Sequence, residues 1–397
     1  MTNDYNNRVL NADKYRNYAL ESRIITDYKL GKMDNTLSAG IRLYTGTTYR
    51  QAEGKGTTGT KYDMTVIGNY PRDIEFKSRN AAAFFENIFH LTQKLIIIPG
   101  LRYEWLEGSA SGRNGYAADG SEIKLQNITR SRSFLLGGVG AEYHVSKYTE
   151  VYANYTQAYR PIQFANLQAP PTTDVVDPNL KDARGYNIDL GYRGKVKNYL
   201  QFDVSSFYLQ YNNRVGVITP TGANYRLVTN VGNSTSKGFE GYVEFNPVKA
   251  FTNDKNIDFI IFGSYGYTDA KYSSDHKDAA TKGKSVENAP KNIFRGGISA
   301  GYEGFLVTGQ LSYVDNAFSD ANNTMTPTAN GQTGLIPSYK VTDLTASYKF
   351  SKGLNLKAGI NNLFDERYFT RRAGGYPGPG ALPADGRTFF VSVGAKL

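Results

Sequence analysis

The stretch Phe305–Val314 reads FLVTGQLSYV. Its odd positions are Phe305, Val307, Gly309, Leu311 and Tyr313, and its even positions Leu306, Thr308, Gln310, Ser312 and Val314. One face is more apolar than the other, with a period of two, which is the mark of a β-strand between two different environments. The same period continues downstream with its phase flipped. Leu344, Ala346, Tyr348 and Phe350 alternate with Asp343, Thr345, Ser347 and Lys349. Leu354, Leu356, Ala358 and Ile360 then alternate with Asn355, Lys357, Gly359 and Asn361, and Phe389, Val391, Val393, Ala395 and Leu397 close the chain. Upstream, Tyr186, Ile188, Leu190 and Tyr192 follow the rule, as do Leu95, Ile97, Leu101, Tyr103 and Trp105.

Worked outward over the whole chain, the pattern predicts about fifteen strands. They span 18–28, 36–48, 80–91, 95–107, 131–144, 149–159, 185–194, 199–211, 237–246, 257–270, 291–302, 305–315, 338–350, 354–364 and 387–397. Strands of soluble proteins average about 5–6 residues, whereas tilted membrane-crossing strands need about 9–11. Most of these spans are long enough to cross. The connections alternate between two classes. Short ones fall at 29–35, 92–94, 145–148, 194–198, 247–256, 303–304 and 351–353, and long ones at 49–79, 108–130, 160–184, 212–236, 271–290, 316–337 and 365–386. Short turns at one end and long loops at the other are expected of an outer-membrane barrel, with the turns in the periplasm. A soluble sandwich has no reason to sort its loops this way. With the last strand ending in the periplasm, every long loop falls outside.

Composition fits this reading. The 397 residues include 31 Tyr, 21 Phe, 41 Gly, one Trp and no Cys, and the mean hydropathy is −0.48. The longest apolar run is 81–85, far short of the roughly 20 residues of a membrane helix. Without Cys there is no disulfide framework and no thiolate site. Outward positions of a barrel are apolar with aromatic girdles, while lumen positions stay polar. That explains both the Tyr content and the low hydropathy. The net charge of +10 suits attraction to an anion or an ordinary solvated surface. The N-terminus (MTNDYNNRVLNADKYRN) shows no apolar signal region. Bacterial single-chain barrels have even strand numbers. The odd count and the polar start together suggest an N-terminally truncated barrel, with 1–397 as one domain.

Several segments carry a resemblance to a known family. Residues 339–350 (YKVTDLTASYKF), 354–369 (LNLKAGINNLFDERYF) and the terminal strand resemble the C-terminal region of TonB-dependent outer-membrane receptors. Residues 152–167 (YANYTQAYRPIQFANL), 177–194 (DPNLKDARGYNIDLGYRG) and 82–103 resemble its earlier strands. Residues 368–387 (YFTRRAGGYPGPGALPADGR) resemble the ferric dicitrate receptor group. The resemblance implies an all-β, transmembrane antiparallel barrel with about 15 of the family's 22 strands, lacking the N-terminal plug domain and the segment that contacts TonB. It implies location in the bacterial outer membrane and active import of a ferric chelate, with ferric citrate favoured. It also implies a TonB partner reached through that N-terminal region, contact with outer-membrane lipid, a monomer, no nucleic acid, no resident cofactor or metal, and no enzymatic activity. Another siderophore, a corrinoid or an oligosaccharide is an alternative cargo, and a passive porin or an adhesin an alternative class. The family often ends in Phe, whereas this chain ends in Leu397.

An anionic chelate asks for Arg, whose planar fork grips carboxylates by two hydrogen bonds. In the strand at 36–48, Leu37, Ala39, Ile41 and Leu43 take the lipid phase. Arg42 and Tyr44 therefore face the lumen, and Arg50 follows in the same phase. The other candidates are Arg160 and Gln163 in one external loop, Arg214 and Arg226 in another, and Arg371 and Arg372 in the last. Residues 374–380 (GGYPGPG) form a turn-rich loop that could close over a ligand. The three His residues, 90, 144 and 276, are far apart and read as solvated structural groups. Glu240 and Glu244 have lumen phase, and no nucleophile–base arrangement or phosphate-binding loop appears.

Overall fold

The computed structural model describes residues 7–60, 62–162, 174–218, 226–252, 254, 256–275, 280–350, 353–373 and 379–395. Fifteen strands form one sheet: β1 (Val9–Leu30), β2 (Met33–Lys55), β3 (Arg72–His90), β4 (Leu95–Tyr116), β5 (Glu122–His144), β6 (Thr149–Arg160), β7 (Ala183–Val196), β8 (Leu200–Asn212), β9 (Ser234–Phe245), β10 (Ile257–Tyr272), β11 (Asn292–Tyr302), β12 (Phe305–Val314), β13 (Tyr339–Lys349), β14 (Leu354–Asn361) and β15 (Thr388–Ala395). Each strand pairs with its chain neighbour, and every pairing is antiparallel. The all-β antiparallel fold and the count of fifteen strands are as the alternation predicts. β1 and β15 stand at the two margins of the sheet.

The two faces separate as their side chains require. Leu135, Val139 and Tyr143 of β5, Ile188, Leu190 and Tyr192 of β7, and Phe389, Val391 and Val393 of β15 are exposed on one face. This is the face for lipid. On the other face, Ser299 and Thr308 share a hydrogen bond of 2.7 Å between β11 and β12. Among the described residues there is no central apolar core of the kind a soluble domain needs. Its buried clusters lie among the outer strand ends and loops. Ile74, Phe76 and Ala110 form one, Ile162, Leu180 and Val228 another, and Val231, Ala270, Tyr272 and Val286 a third.

The structure departs from expectation in strand length. β1 to β5 hold 22, 23, 19, 22 and 23 residues. Much of the loop expected at 49–79 is strand, and the loop expected at 108–130 is a hairpin whose ladder ends at Tyr116↔Glu122. Beyond the bilayer both faces of a strand meet water, so the ladder continues while the alternation disappears. Two register shifts, at Ala110/Gly112 and Arg113/Gly115, bend this hairpin. Gly112 has φ +127°, and a Cβ there would lie 2.3 Å from the Asp73 carbonyl oxygen. No other residue fits that bulge without moving the backbone.

The opposite ends turn tightly, as at Glu303–Gly304, with φ of 45° and 90°. The turn between β9 and β10 carries a one-turn helix, α1 (Pro247–Phe251). Asn246 caps it by accepting the Lys249 N–H at 2.9 Å. Outer loops form small sheets of their own, pairing Val215–Ile218 with Arg226–Asn230 and Asp174–Val176, Ala317–Phe318 with Leu335–Ile336, and Phe369–Ala373 with Gly380–Pro383.

Candidate functional site at the outer rim and lumen wall

The β5–β6 ladder ends outward at Gly138↔Thr156, whereas the β6–β7 ladder runs on to Arg160↔Ala183. Above Gly138 the two strands part, and the loop before β7 fills the gap. Asp182 is the hub of this filling. Its carboxylate accepts from Arg132 Nε at 2.5 Å, from the Tyr159 hydroxyl at 2.5 Å and from the Ile162 N–H at 2.8 Å. Tyr159 stacks on Phe134 with ring centroids 3.7 Å apart. Arg130 donates to the Leu180 carbonyl at 3.3 Å, and Asn213 to that of Asp182 at 3.3 Å.

A cavity of about 640 Å³ opens beside this hub, with Arg130, Arg132, Lys181, Asp182, Arg184 and Asn213 among its lining residues. Asp182 neutralises Arg132, which leaves three positive charges at its wall. A polar, cationic recess of this size can hold an anionic ligand through charge-assisted hydrogen bonds. None of its four cations, Arg130, Arg132, Lys181 and Arg184, is in the predicted set. The signal for Arg130 and Arg132 was a two-residue spacing that puts both on one strand face. It is hidden because it lies where apolar alternation fades.

The predicted residues are scattered. Arg42 is exposed on the lumen wall, lining a cavity of about 790 Å³ with Glu21, Arg23, Arg102 and Phe84. There the Phe84 ring carries Arg23 at 5.4 Å and Arg102 at 5.3 Å from its centroid. Arg50 grips its cross-strand partner Asp13 at 3.1 and 3.0 Å. Arg214 pairs with Glu287 at 3.2 Å and lies over the Tyr211 ring at 5.1 Å. Arg372 donates to the Leu335 carbonyl at 3.3 and 2.9 Å and to that of Gly331 at 2.9 Å, tying the last loop to its neighbour. Arg160 and Arg371 are exposed. None of these shares the Arg42 cavity. Gln163, His276, residues 374–378 and the Arg226 side chain lie outside the described residues. Glu240 lines a third recess, of about 410 Å³, with Asp203, Tyr242 and Arg295.

In the last outer loop the Asp365 carboxylate accepts the Arg387 N–H at 2.9 Å and pairs with Arg367 at 2.9 Å. The Arg387 hydrogen bond, with Arg367 beside it, holds the carboxyl below its ordinary pKa.

A family model described as "TonB dependent receptor-like, beta-barrel" matches residues 1–363. The chain belongs to the TonB-dependent receptor β-barrel family. Members of this family are bacterial outer-membrane proteins, and the chain is therefore assigned to the outer membrane. Among its relatives is the metal-pseudopaline receptor CntO of Pseudomonas aeruginosa, 24% identical over 292 residues, covering 70% of this chain and 35% of CntO. Another is the probable TonB-dependent siderophore receptor PiuA of Acinetobacter baumannii, 21% identical over 343 residues, covering 82% of this chain and 41% of PiuA. Among solved structures, the unliganded ferric citrate transporter FecA superposes with a TM-score of 0.77 at 20% identity. That match covers 98% of this chain and 55% of FecA. The ferric-catecholate import receptor Fiu of E. coli K12 gives 0.74 at 16% identity, covering 96% and 55%. This TonB-dependent barrel thus spans about a third to two fifths of these two curated relatives, and about half of each structural neighbour.

Proposed function

We propose that the chain is the barrel portion of an outer-membrane receptor that imports an anionic ferric chelate, with ferric citrate the favoured cargo. The observation that carries this reading is the cationic recess of Arg130, Lys181 and Arg184 at the outer rim. A chelate rich in carboxylates matches it in sign and in hydrogen-bond geometry. On the lumen wall Arg42 adds one further cation inward, while Arg23 and Arg102 beside it are paired with Glu21 and Glu104. On this reading the fifteen strands are the C-terminal part of a larger, plugged barrel, and TonB supplies the energy through an N-terminal region. The margins of β1 and β15 are where further strands would pair, because unpaired backbone in lipid costs several kcal/mol per group.

A second cargo class also has support. The curated relatives named above are a metal-pseudopaline receptor and a probable siderophore receptor, so a different metal chelate would suit the same recess. Uptake of radiolabelled iron by cells that express the intact receptor as their sole outer-membrane iron importer separates the two. Ferric citrate import that falls in the Arg130→Ala/Arg184→Ala double variant supports the first reading. Import of other ferric chelates but not of citrate refutes it and favours the second.

A further inference from the structure

The inner end of the β5–β6 hairpin gathers chemistry that capture at the outer rim does not use. His144 and Glu150 are directly opposed across the ladder, Glu142 stands two residues along the same face, and Arg193 of β7 is opposite Glu150. His144 Nδ1 lies 3.1 Å from Glu150 Oε2. Arg193 approaches from the other side, with Nε 2.6 Å from Glu150 Oε1 and Nη2 3.4 Å from Glu142 Oε1. Its guanidinium rests over the Tyr152 ring, 4.9 Å from the centroid. Tyr152 is itself fixed by donating to Asp203 at 3.0 Å. One nitrogen and two carboxylate oxygens from Glu142, His144 and Glu150 lie within 4.8 Å of one another.

The geometry points to a divalent transition-metal site formed by Glu142, His144 and Glu150 at the periplasmic end of the lumen wall. One imidazole and two carboxylates are a donor set that suits Zn²⁺ and Co²⁺. With bonds of about 2.0–2.2 Å, donor atoms around a tetrahedral ion lie roughly 3.4 Å apart, so the widest pair would close by up to about 1.4 Å, within reach of side-chain torsions. Arg193 acts from behind, holding one oxygen of each carboxylate and leaving the second free. Supporting contacts of this kind orient metal ligands in established sites. With His144 neutral, the two carboxylates and Arg193 carry one net negative charge, which favours a cation. A recess of about 470 Å³ adjoins His144 and Glu150 and gives access. The sequence reading expected no metal and took His144, like His90 and His276, as a solvated structural group. His90 is absent from the group.

The test is equilibrium dialysis of the purified intact receptor in detergent against ZnCl₂, with CoCl₂ visible absorption as a second readout. Heat-modifiable electrophoretic mobility confirms that each variant is folded. The expected result is one Zn²⁺ per chain, with a Co²⁺ spectrum that reports nitrogen and oxygen ligation. Binding should weaken about tenfold or more in Glu150→Gln and in His144→Gln. The Gln at 144 keeps a hydrogen-bond donor for Glu150 but supplies no imidazole. His90→Ala should bind as the parent does. No stoichiometric Zn²⁺ in the parent, or full binding retained by folded His144→Gln, would overturn the assignment. It would leave the four residues as a hydrogen-bonded clasp only.

Discussion

Asp182 shows how one carboxylate holds the outer rim together. It neutralises Arg132, orients Tyr159 and receives the Ile162 N–H. Its side chain and that of Arg132 are about 18% and 17% exposed, so solvent screens the pair only in part. We expect Asp182→Ala to lower unfolding stability by about 1–2 kcal/mol, because it strands a half-buried guanidinium. Asp182→Asn, which can still accept the Ile162 N–H, should cost less. Denaturant unfolding of the two variants in detergent checks the order. Asp365 gives a pH prediction. Its folded pKa is depressed. The stability it lends to the last loop is therefore present above the unfolded value of about 3.9 and lost as pH falls through the folded one. Intrinsic-rate-corrected amide exchange at Arg387 should stay slow at neutral pH and accelerate below about pH 4. In Asp365→Asn it should be faster at every pH. At this scale the sequence was partly legible. The lumen phase of Arg42 could be read from its neighbours. The partners of Arg50, Arg214 and Arg372 lie 37, 73 and 37 residues away. Register and loop packing, which no local pattern encodes, decide those pairings.

Strands were legible wherever the bilayer imposes two environments. In β12, Leu311 and Phe305 are exposed to lipid, and Gln310 and Thr308 alternate with them. Leu311→Arg should therefore destabilise the barrel by about 2–4 kcal/mol, the cost of a cation near the bilayer midplane. Gln310→Arg, one residue away, should be nearly neutral. Folding yield into lipid vesicles, measured for both variants, tests the assignment of faces, and equal effects would refute it. Strand ends were not legible for a related reason. The outer portions of β2, β3, β4 and β5 pair through Lys55, Arg72, Tyr116 and Glu122. There water meets both faces, so polarity no longer alternates. The bulge at Gly112 is equally silent, because a glycine among many carries no label for positive φ.

For the whole molecule, the net charge of +10 matters less than where it gathers. Of the predicted Arg residues, Arg50, Arg214 and Arg372 are spent on partners. Arg130, Lys181 and Arg184 gather in the outer recess, while on the lumen wall Arg42 is exposed and Arg23 and Arg102 are paired with Glu21 and Glu104. Electrostatic capture of an anion should weaken steadily between about 0.01 and 1 M salt, as the screening length falls from about 30 to 3 Å. Binding by shape and apolar contact would respond little. The sheet that carries these groups follows the TonB-dependent barrel over nearly its full extent. The barrel was readable from strand spacing and the family from the resemblance of segments along the chain, whereas the recess depends on β5 and β6 separating above Gly138. The most direct test of the account is calorimetric titration of the purified intact receptor with ferric dicitrate. The account predicts saturable, salt-sensitive binding that weakens tenfold or more, about 1.4 kcal/mol, in Arg130→Ala/Arg184→Ala. Absence of saturable binding, or binding indifferent to both salt and the double substitution, would contradict it.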